Sequence, residues 1–360
     1  MKVYYDYQML FAQRYGGISR YFFEVVSRLP ELGVDVEVSC LHSRNWYFRD
    51  MLGIRDYSKS NRIVRGLERR IFSRVNKLKA LHEVRRGYDI IHPTYYDPYM
   101  LGGHSGKLVV TVYDMIHEKF GGDEPTIRNK KKMLHASDHI ISISESTKRD
   151  VLEIYPDIRP EKISVIHLGN SMPKIESAGK NPLGTRYILF VGNRGWYKNF
   201  IRFVQAVRPI LERHDDICVF CVGGGGIFLP RELEVIGSLI SRFHLSSITD
   251  EALSQAYANA ECFVFPSEYE GFGIPLLEAF ACDCPVVCSR SSSLPEVAGD
   301  AAEYFDPTDI DDMAAKIARV VEDTSLRERL RAAGRERLRL FSWDKTARET
   351  LECYRKVLAE

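Results

Sequence analysis

Phe265-Pro266-Ser267-Glu268-Tyr269-Glu270-Gly271-Phe272-Gly273-Ile274-Pro275-Leu276-Leu277-Glu278-Ala279 is the stretch on which the fold turns. It begins at the end of an apolar run, Cys262–Phe265, which reads as a buried strand. A glycine-rich loop follows. Pro275 then marks the first turn of a helix, where a missing N–H costs nothing. A strand, a glycine loop and a helix in that order form a ligand-binding corner of a doubly wound α/β sheet. Glu270 falls in the loop and Glu278 in the helix. Loop and helix rise put the two carboxylates about 10 Å apart. Carboxylates accept hydrogen bonds from vicinal hydroxyls, so this pair suits the two ends of a sugar nucleotide. The amides of Phe272, Gly273 and Ile274 supply donors for hydroxyls or a phosphate.

The same strand–helix rhythm runs outward in both directions. In the first half, Lys2–Tyr5, Val34–Leu41, Asp89–His92, Leu108–Tyr113, His139–Ile143 and Ile163–His167 read as strands. They are continuous apolar runs rather than alternating ones, the mark of a parallel sheet covered on both faces. Helices are expected at Ile18–Leu29 and Glu145–Tyr155. Residues 169–185 are rich in Gly, Pro, Ser and Asn and read as a linker. Beyond them, strands are expected at Tyr187–Val191, Ile217–Val222, Cys262–Phe265 and Pro285–Cys288. Helices are expected at Phe200–Glu212, Asp250–Ala258, Pro275–Ala281 and Asp309–Glu322. The pattern predicts an α/β protein with two Rossmann-like doubly wound domains in tandem. A length of 360 residues suits two such domains.

Composition excludes other classes. With 45% hydrophobic and 28% charged residues, the chain is neither disordered nor fibrous. Eight Cys are too few for a disulfide scaffold. No apolar run approaches the ~18 residues of a membrane span, and Met1-Lys2-Val3-Tyr4-Tyr5-Asp6 lacks the apolar core of a signal peptide. The expectation is a cytoplasmic protein with reduced thiols. Net charge is +1, yet residues 1–170 carry 27 Lys and Arg against 21 Asp and Glu, and the remainder 23 against 28. A basic first half points to an anionic partner on that side.

Three further glycine or basic motifs sit after strands. Tyr15-Gly16-Gly17-Ile18-Ser19-Arg20 opens the first long helix, where Gly16 and Gly17 let amides approach a phosphate; it equally suits a plain turn. Gly192-Asn193-Arg194-Gly195-Trp196-Tyr197-Lys198 sets two cations four residues apart, a clamp for a diphosphate or a solvated loop. Gly223–Gly226 reads as a flexible loop or as a close approach to a nucleotide. Cys218-x-x-Cys221 lies inside a strand, and Cys282-x-Cys284 has no His at zinc spacing, so these thiols read as small core residues and no metal site is expected.

The spacing of Glu270 and Glu278 and their flanks resemble the paired-glutamate motif of retaining glycosyltransferases of family 4. The flanks include Cys284-Pro285-Val286-Val287 and Ser293-Leu294-Pro295-Glu296-Val297, and the resemblance runs from Gly16-Gly17 to Phe341-Ser342-Trp343. It implies the GT-B fold, two Rossmann-like domains facing across a cleft. An acceptor-side domain would cover 1–170 and a nucleotide-sugar domain 171–345. A last helix in 346–360 would cross back to the first domain. By the same resemblance, Gly16, Gly17, Arg194 and Lys198 hold the donor diphosphate. Glu278 binds the ribose. Glu270, Phe272, Gly273 and Ile274 hold the transferred sugar. The donor is a nucleoside-diphosphate sugar, with GDP-mannose first, because the chain looks like bacterial polysaccharide mannosyltransferases. The acceptor is a glycan or a lipid-linked glycan. Neither cofactor nor metal nor nucleic acid is called for.

One position departs from the family. Where Thr-x-His-Asp is usual, this chain has Thr111-Val112-Tyr113-Asp114, with His117 four residues after Tyr113. Asp114 and His117 are the catalytic candidates beside Glu270, His117 supplying the missing imidazole or serving as a polar loop residue. Residues 62–86 carry nine Lys and Arg against Glu68 and Glu83, with Ile63, Leu67, Ile71, Val75, Leu78 and Leu81 at helical spacing. This basic amphipathic helix, with Trp46-Tyr47-Phe48 and Arg128-Asn129-Lys130-Lys131-Lys132, suits peripheral attachment to an anionic membrane surface. Its apolar stripe could instead pack on its own domain. The competing functions are a sugar-nucleotide epimerase of the same architecture and a binding scaffold that has lost turnover.

Overall fold

The computed structural model describes residues 1–53, 62–172 and 179–360, and the side chains of all of these except 50, 62–68 and 196. The chain divides into two units, Met1–Leu168 with Trp343–Glu360, and Gly169–Ser342. Part of the expected linker, 173–178, lies outside the described residues.

Unit 1 is built on a six-stranded parallel sheet of β1 (Lys2–Tyr5), β2 (Asp35–Val38), β3 (Ile90–His92), β4 (Lys107–Val112), β5 (His139–Ser142) and β6 (Ile163–Val165), in the order β2-β1-β3-β4-β5-β6. Its central positions, such as Ile90, Ile91, Val109 and Ile140, are wholly buried. That is why these runs carry no polar alternation. The strand order reverses between β1 and β3. Their carboxyl ends are therefore the place where a ligand fits. Asp6, next after β1, is buried there and ties the two ends together: it accepts from the Thr94 amide at 2.8 Å and the Thr94 hydroxyl at 2.7 Å.

The last helix, Trp343–Ala359, belongs to unit 1. A buried polar chain fastens it. The Tyr5 and Tyr354 hydroxyls lie 2.6 Å apart, Tyr354 Oη is 2.5 Å from His92 Nδ1, and His92 Nε2 is 2.8 Å from Thr111 Oγ1. Thr111 in turn meets Tyr21 Oη at 3.2 Å.

Unit 2 repeats the plan with β7 (Arg186–Val191), β8 (Ile217–Val222), β9 (Phe243–Ser246), β10 (Cys262–Phe265), β11 (Val286–Ser289) and β12 (Ala302–Phe305), in the order β12-β11-β10-β7-β8-β9, all parallel. The reversal here lies between β7 and β10. The expected strands and helices are present with ends shifted by a few residues; the helices include Gly17–Arg28, Glu145–Ile154, Phe200–Arg213 and Ile310–Glu322. The edge strands β9 and β12 were not anticipated. Each is four residues long and at least partly exposed in the middle, so the run of apolar residues that marks a covered strand is missing.

Burial pushes the His92 imidazole down to about 3. The folded ring stays neutral while the unfolded ring takes a proton near pH 6.5. This stability is present above pH 6.5 and lost as pH falls toward 3, by about 1.4 kcal/mol per pH unit. Between pH 6.5 and 4.5, urea-unfolding free energy of the wild type should fall more steeply than that of His92→Asn. Equal slopes would refute the assignment.

Candidate functional site

The switch point of unit 2 gathers the functional loops. Lys198 ends a short turn after β7, and Glu270 sits in the loop after β10. The two meet at 2.6 Å between Lys198 Nζ and Glu270 Oε1, with side chains only 18% and 12% exposed. A cation and a carboxylate at such a distance in partial burial hold each other in one geometry.

The loop 266–273 owes its shape to groups from two other places. The Asn199 amide donates to the Pro266 carbonyl at 3.1 Å and the Pro307 carbonyl at 2.7 Å. Ser291 Oγ donates to the Glu268 carbonyl, and the Glu270 amide donates to Ser292 Oγ at 2.8 Å. Ser293 Oγ reaches the carbonyls of Glu270 at 2.8 Å and Phe272 at 2.9 Å. These hydroxyls were missed in the sequence, where Ser293 was read only as a flank of the motif. A run of three serines after a strand was the available signal.

Gly273 is the residue before the helix Ile274–Ala281, at φ +103°. The backbone there favours glycine, and a Cβ would also lie 2.9 Å from Leu294 Cδ2 and displace it. No side chain caps this helix, whose first amides form the positive end of its dipole. Glu278, one turn further, is partly buried, and its Oε2 accepts from Tyr257 Oη at 3.2 Å. Burial first, and then the Glu278 charge, push the Tyr257 phenol well up, so it remains a neutral donor. Tyr257 thus orients the carboxylate.

Arg194, the other cation of the expected clamp, is turned into the protein. Its side chain is 3% exposed and is spent within the protein. Nε lies 3.2 Å from Glu232 Oε2, Nη1 donates to the Gly223 carbonyl at 2.9 Å, and Nη2 to the Ile227 carbonyl at 2.6 Å. The Gly223–Gly226 loop therefore wraps a guanidinium. A Cβ on Gly224, at φ +71°, would come 2.9 Å from Arg194 Nη1. Glu232 is fully buried and was also missed. Lys198, by contrast, spends its ammonium on the Glu270 carboxylate.

In unit 1, Gly16 and Gly17 stand at the start of the helix Gly17–Arg28 as expected, but Gln13 Oε1 already accepts from the Ser19 amide at 3.1 Å. The Gln13 side chain fills the space a Gly16 Cβ would take. Asp114 follows β4, with Oδ1 accepting from the Ile116 amide at 3.1 Å and its carbonyl bonded to the buried Lys130 Nζ at 2.8 Å. His117 Nδ1 accepts from the Asp123 amide at 3.1 Å, which places the proton of the neutral ring on Nε2. Tyr113, at the departure from the family pattern, is buried among Tyr21, Phe22 and Tyr96, and its hydroxyl donates to the Thr94 carbonyl at 3.2 Å. It is a packing residue. All eight cysteines are buried free thiols.

The helix Arg62–Glu83 is held to its unit by buried Asn76, which accepts from the Leu41 amide at 2.9 Å and donates to the His42 carbonyl at 2.9 Å. Ile71 and Leu78 of the apolar stripe are 48% and 67% exposed. The side chains of Arg62, Ile63, Arg65, Leu67 and Glu68 lie outside the described residues.

Two parallel doubly wound units of this kind are the GT-B fold, and solved structures agree. Sucrose-phosphate synthase from Thermosynechococcus elongatus matches with a TM-score of 0.76 at 20% identity, covering 99% of both chains. HepE of Anabaena, solved with UDP-glucose, matches with a TM-score of 0.74 at 15% identity, covering 99% of this chain and 100% of that one. The family described as Glycosyltransferase Family 4 matches residues 15–170, and that described as Glycosyl transferases group 1 matches residues 171–337. The chain belongs to these glycosyltransferases. It is 29% identical to the O-antigen chain mannosyltransferase B of Escherichia coli over 94% of this chain and 96% of that one. It is 25% identical to alpha-maltose-1-phosphate synthase of Mycolicibacterium smegmatis over 96% of each.

Two substitutions separate the cations. Arg194→Ala leaves the Glu232 carboxylate buried without its partner and should cost about 3–5 kcal/mol in chemical denaturation. Lys198→Ala should cost about 1–2 kcal/mol yet abolish the thermal shift produced by a nucleoside diphosphate. An Arg194→Ala protein of unchanged stability would contradict this division.

Proposed function

We propose that this glycosyltransferase is a retaining, metal-independent hexosyltransferase that moves mannose from GDP-mannose to a glycan or lipid-linked glycan acceptor. The observation that carries the reading is the Lys198–Glu270 pair at the carboxyl-end switch point of unit 2, beside an uncapped helix that bears Glu278. Lys198 would take the diphosphate and Glu278 the ribose hydroxyls. Glu270 and the Phe272–Ile274 amides would hold the hexose. The cation and the helix N-terminus would neutralise the departing diphosphate. The bond from the anomeric carbon to the diphosphate oxygen breaks, and the acceptor oxygen joins the same face. The acceptor proton leaves on the departing phosphate. In unit 1, Gly16 and Gly17 would offer amides to phosphate, with Asp114 and His117 orienting the sugar or the acceptor hydroxyl. Mannose is favoured because the Escherichia coli relative is named as a mannosyltransferase.

A panel of UDP-, GDP-, ADP- and TDP-sugars in EDTA tests the donor. One base should raise the melting temperature, equivalent to about 2.7 kcal/mol at a hundredfold excess over Kd, and Glu278→Ala should remove the shift. No shift with any donor would overturn the reading. Nucleotide release that needs no acceptor would favour the epimerase.

The same reading extends to a peripheral membrane position. Exposed Ile71 and Leu78 on a basic helix, with Trp46 49% exposed, support it. The protein should float with anionic but not neutral vesicles and dissociate in high salt, and Leu78→Glu should weaken the association. Salt-insensitive or absent flotation would exclude it.

A further inference from the structure

The basic stretch Arg128–Lys132 is not all surface. Lys131 and Lys132 are exposed, but the Lys130 side chain is only 1% exposed. Burying an ammonium is costly, and an apolar side chain of similar volume often serves stability as well or better. What an ammonium adds is a charge and three directional donors. Those donors are spent on one segment. Lys130 Nζ donates to the Asp114 carbonyl at 2.8 Å and to Glu118 Oε2 at 2.9 Å, and it stands 4.0 Å from Asp114 Oδ1. The Tyr96 ring lies beneath the ammonium, 5.4 Å away at its centroid.

The two carboxylates differ in situation. Glu118 is buried, and its other oxygen, Oε1, accepts from Tyr155 Oη at 3.4 Å. Asp114 is partly open, two residues past the carboxyl end of β4, where ligands reach such sheets. The helix that carries Lys130, Glu124–Ala136, grips the same segment a second time. Its N-cap is Asp123, whose side chain accepts from the Thr126 amide at 2.9 Å and whose own amide donates to His117 Nδ1 at 3.1 Å. Asp123 and Lys130 are about two turns apart. One rigid helix therefore sets the Asp114 peptide at one point and the His117 ring at another. Lys119, in the short helix Ile116–Phe120, is tied to Asp150 of the helix Glu145–Ile154.

We infer that Lys130 is a positioning residue for sugar transfer: with Asp123 it makes the helix Glu124–Ala136 a template that sets the Asp114 carboxylate and the His117 ring before a ligand arrives. The inference rests on the reading that Asp114 and His117 meet the sugar or the acceptor hydroxyl. Lys130 touches neither ligand and acts through Asp114. Groups set in advance need no reorganisation during the reaction. Loss of the template therefore falls on kcat rather than on the KM of the donor.

Lys130→Ala alone would strand the Glu118 carboxylate in the interior. The test variant is therefore Lys130→Met/Glu118→Gln, which keeps the volume and removes both charges. Two readouts are taken on the full chain. In hydrogen exchange, the segment Asp114–Gly122 should exchange at least tenfold faster in the variant, with unit 2 unchanged, which shows an intact fold. Turnover is read as GDP released from GDP-mannose with methyl α-mannoside as acceptor. There kcat should fall at least tenfold, while the KM for GDP-mannose stays within threefold. Beside Asp114→Asn, the same two substitutions should change kcat less than threefold, because the group through which Lys130 acts is already altered. Unchanged exchange in the segment, or a kcat loss that persists in full beside Asp114→Asn, overturns the proposal. An Asp114→Asn protein with wild-type kcat defeats the reading of Asp114 and the proposal with it. A wild type that releases no GDP defeats the mannosyl reading alone, and the exchange measurement then decides by itself whether Lys130 holds the segment.

Discussion

The Lys198–Glu270 ion pair is the interaction around which unit 2 is organised. A lysine after β7 and a glutamate after β10 meet only if both loops are held still. The protein holds them from outside. Asn199 reaches two carbonyls, and Ser291, Ser292 and Ser293 in succession bond the backbone of the Glu270 loop. Each of these bonds satisfies a backbone group that a buried loop would otherwise leave unpaired. The result is a site whose charges are positioned before any ligand arrives, the arrangement in which electrostatic stabilisation needs least reorganisation.

The two cations of the motif Gly192–Lys198 divide their labour. Lys198 stands at the switch point. Arg194, four residues earlier, closes the glycine loop after β8 and neutralises buried Glu232. A glycine-rich loop after a strand is often read as a nucleotide cradle. In this chain it accommodates a guanidinium, and its lack of side chains serves close packing.

How much of this was legible depended on range. Continuous apolar runs such as Val109–Val110 and Ile140–Ile141 announced strands covered on both faces, because burial on two sides leaves no polar position. The edge strands β9 and β12 carried no such mark. Glu270 and Glu278 were legible because both lie within one strand–loop–helix. The fate of Arg194 was not, since the carbonyls that capture it lie 29 to 33 residues downstream. Tyr113 looked like a lost catalytic imidazole, yet its hydroxyl and ring are committed to packing through Thr94, Tyr21 and Phe22. Gln13 and the serine run escaped notice because their role depends on which backbone groups come near them in space.

The return of the last helix to the first unit has a consequence for synthesis. Tyr5 waits for Tyr354, 349 residues later, and His92 waits for the same hydroxyl across 262 residues. Unit 2 is one uninterrupted segment and can close as soon as it leaves the ribosome. Unit 1 is made first yet finishes last. Its sheet carries an uncovered apolar flank and unpaired buried hydroxyls through the whole of translation, so the nascent first half is the natural client for a chaperone, and truncation near residue 340 damages the end of the molecule that was made earliest.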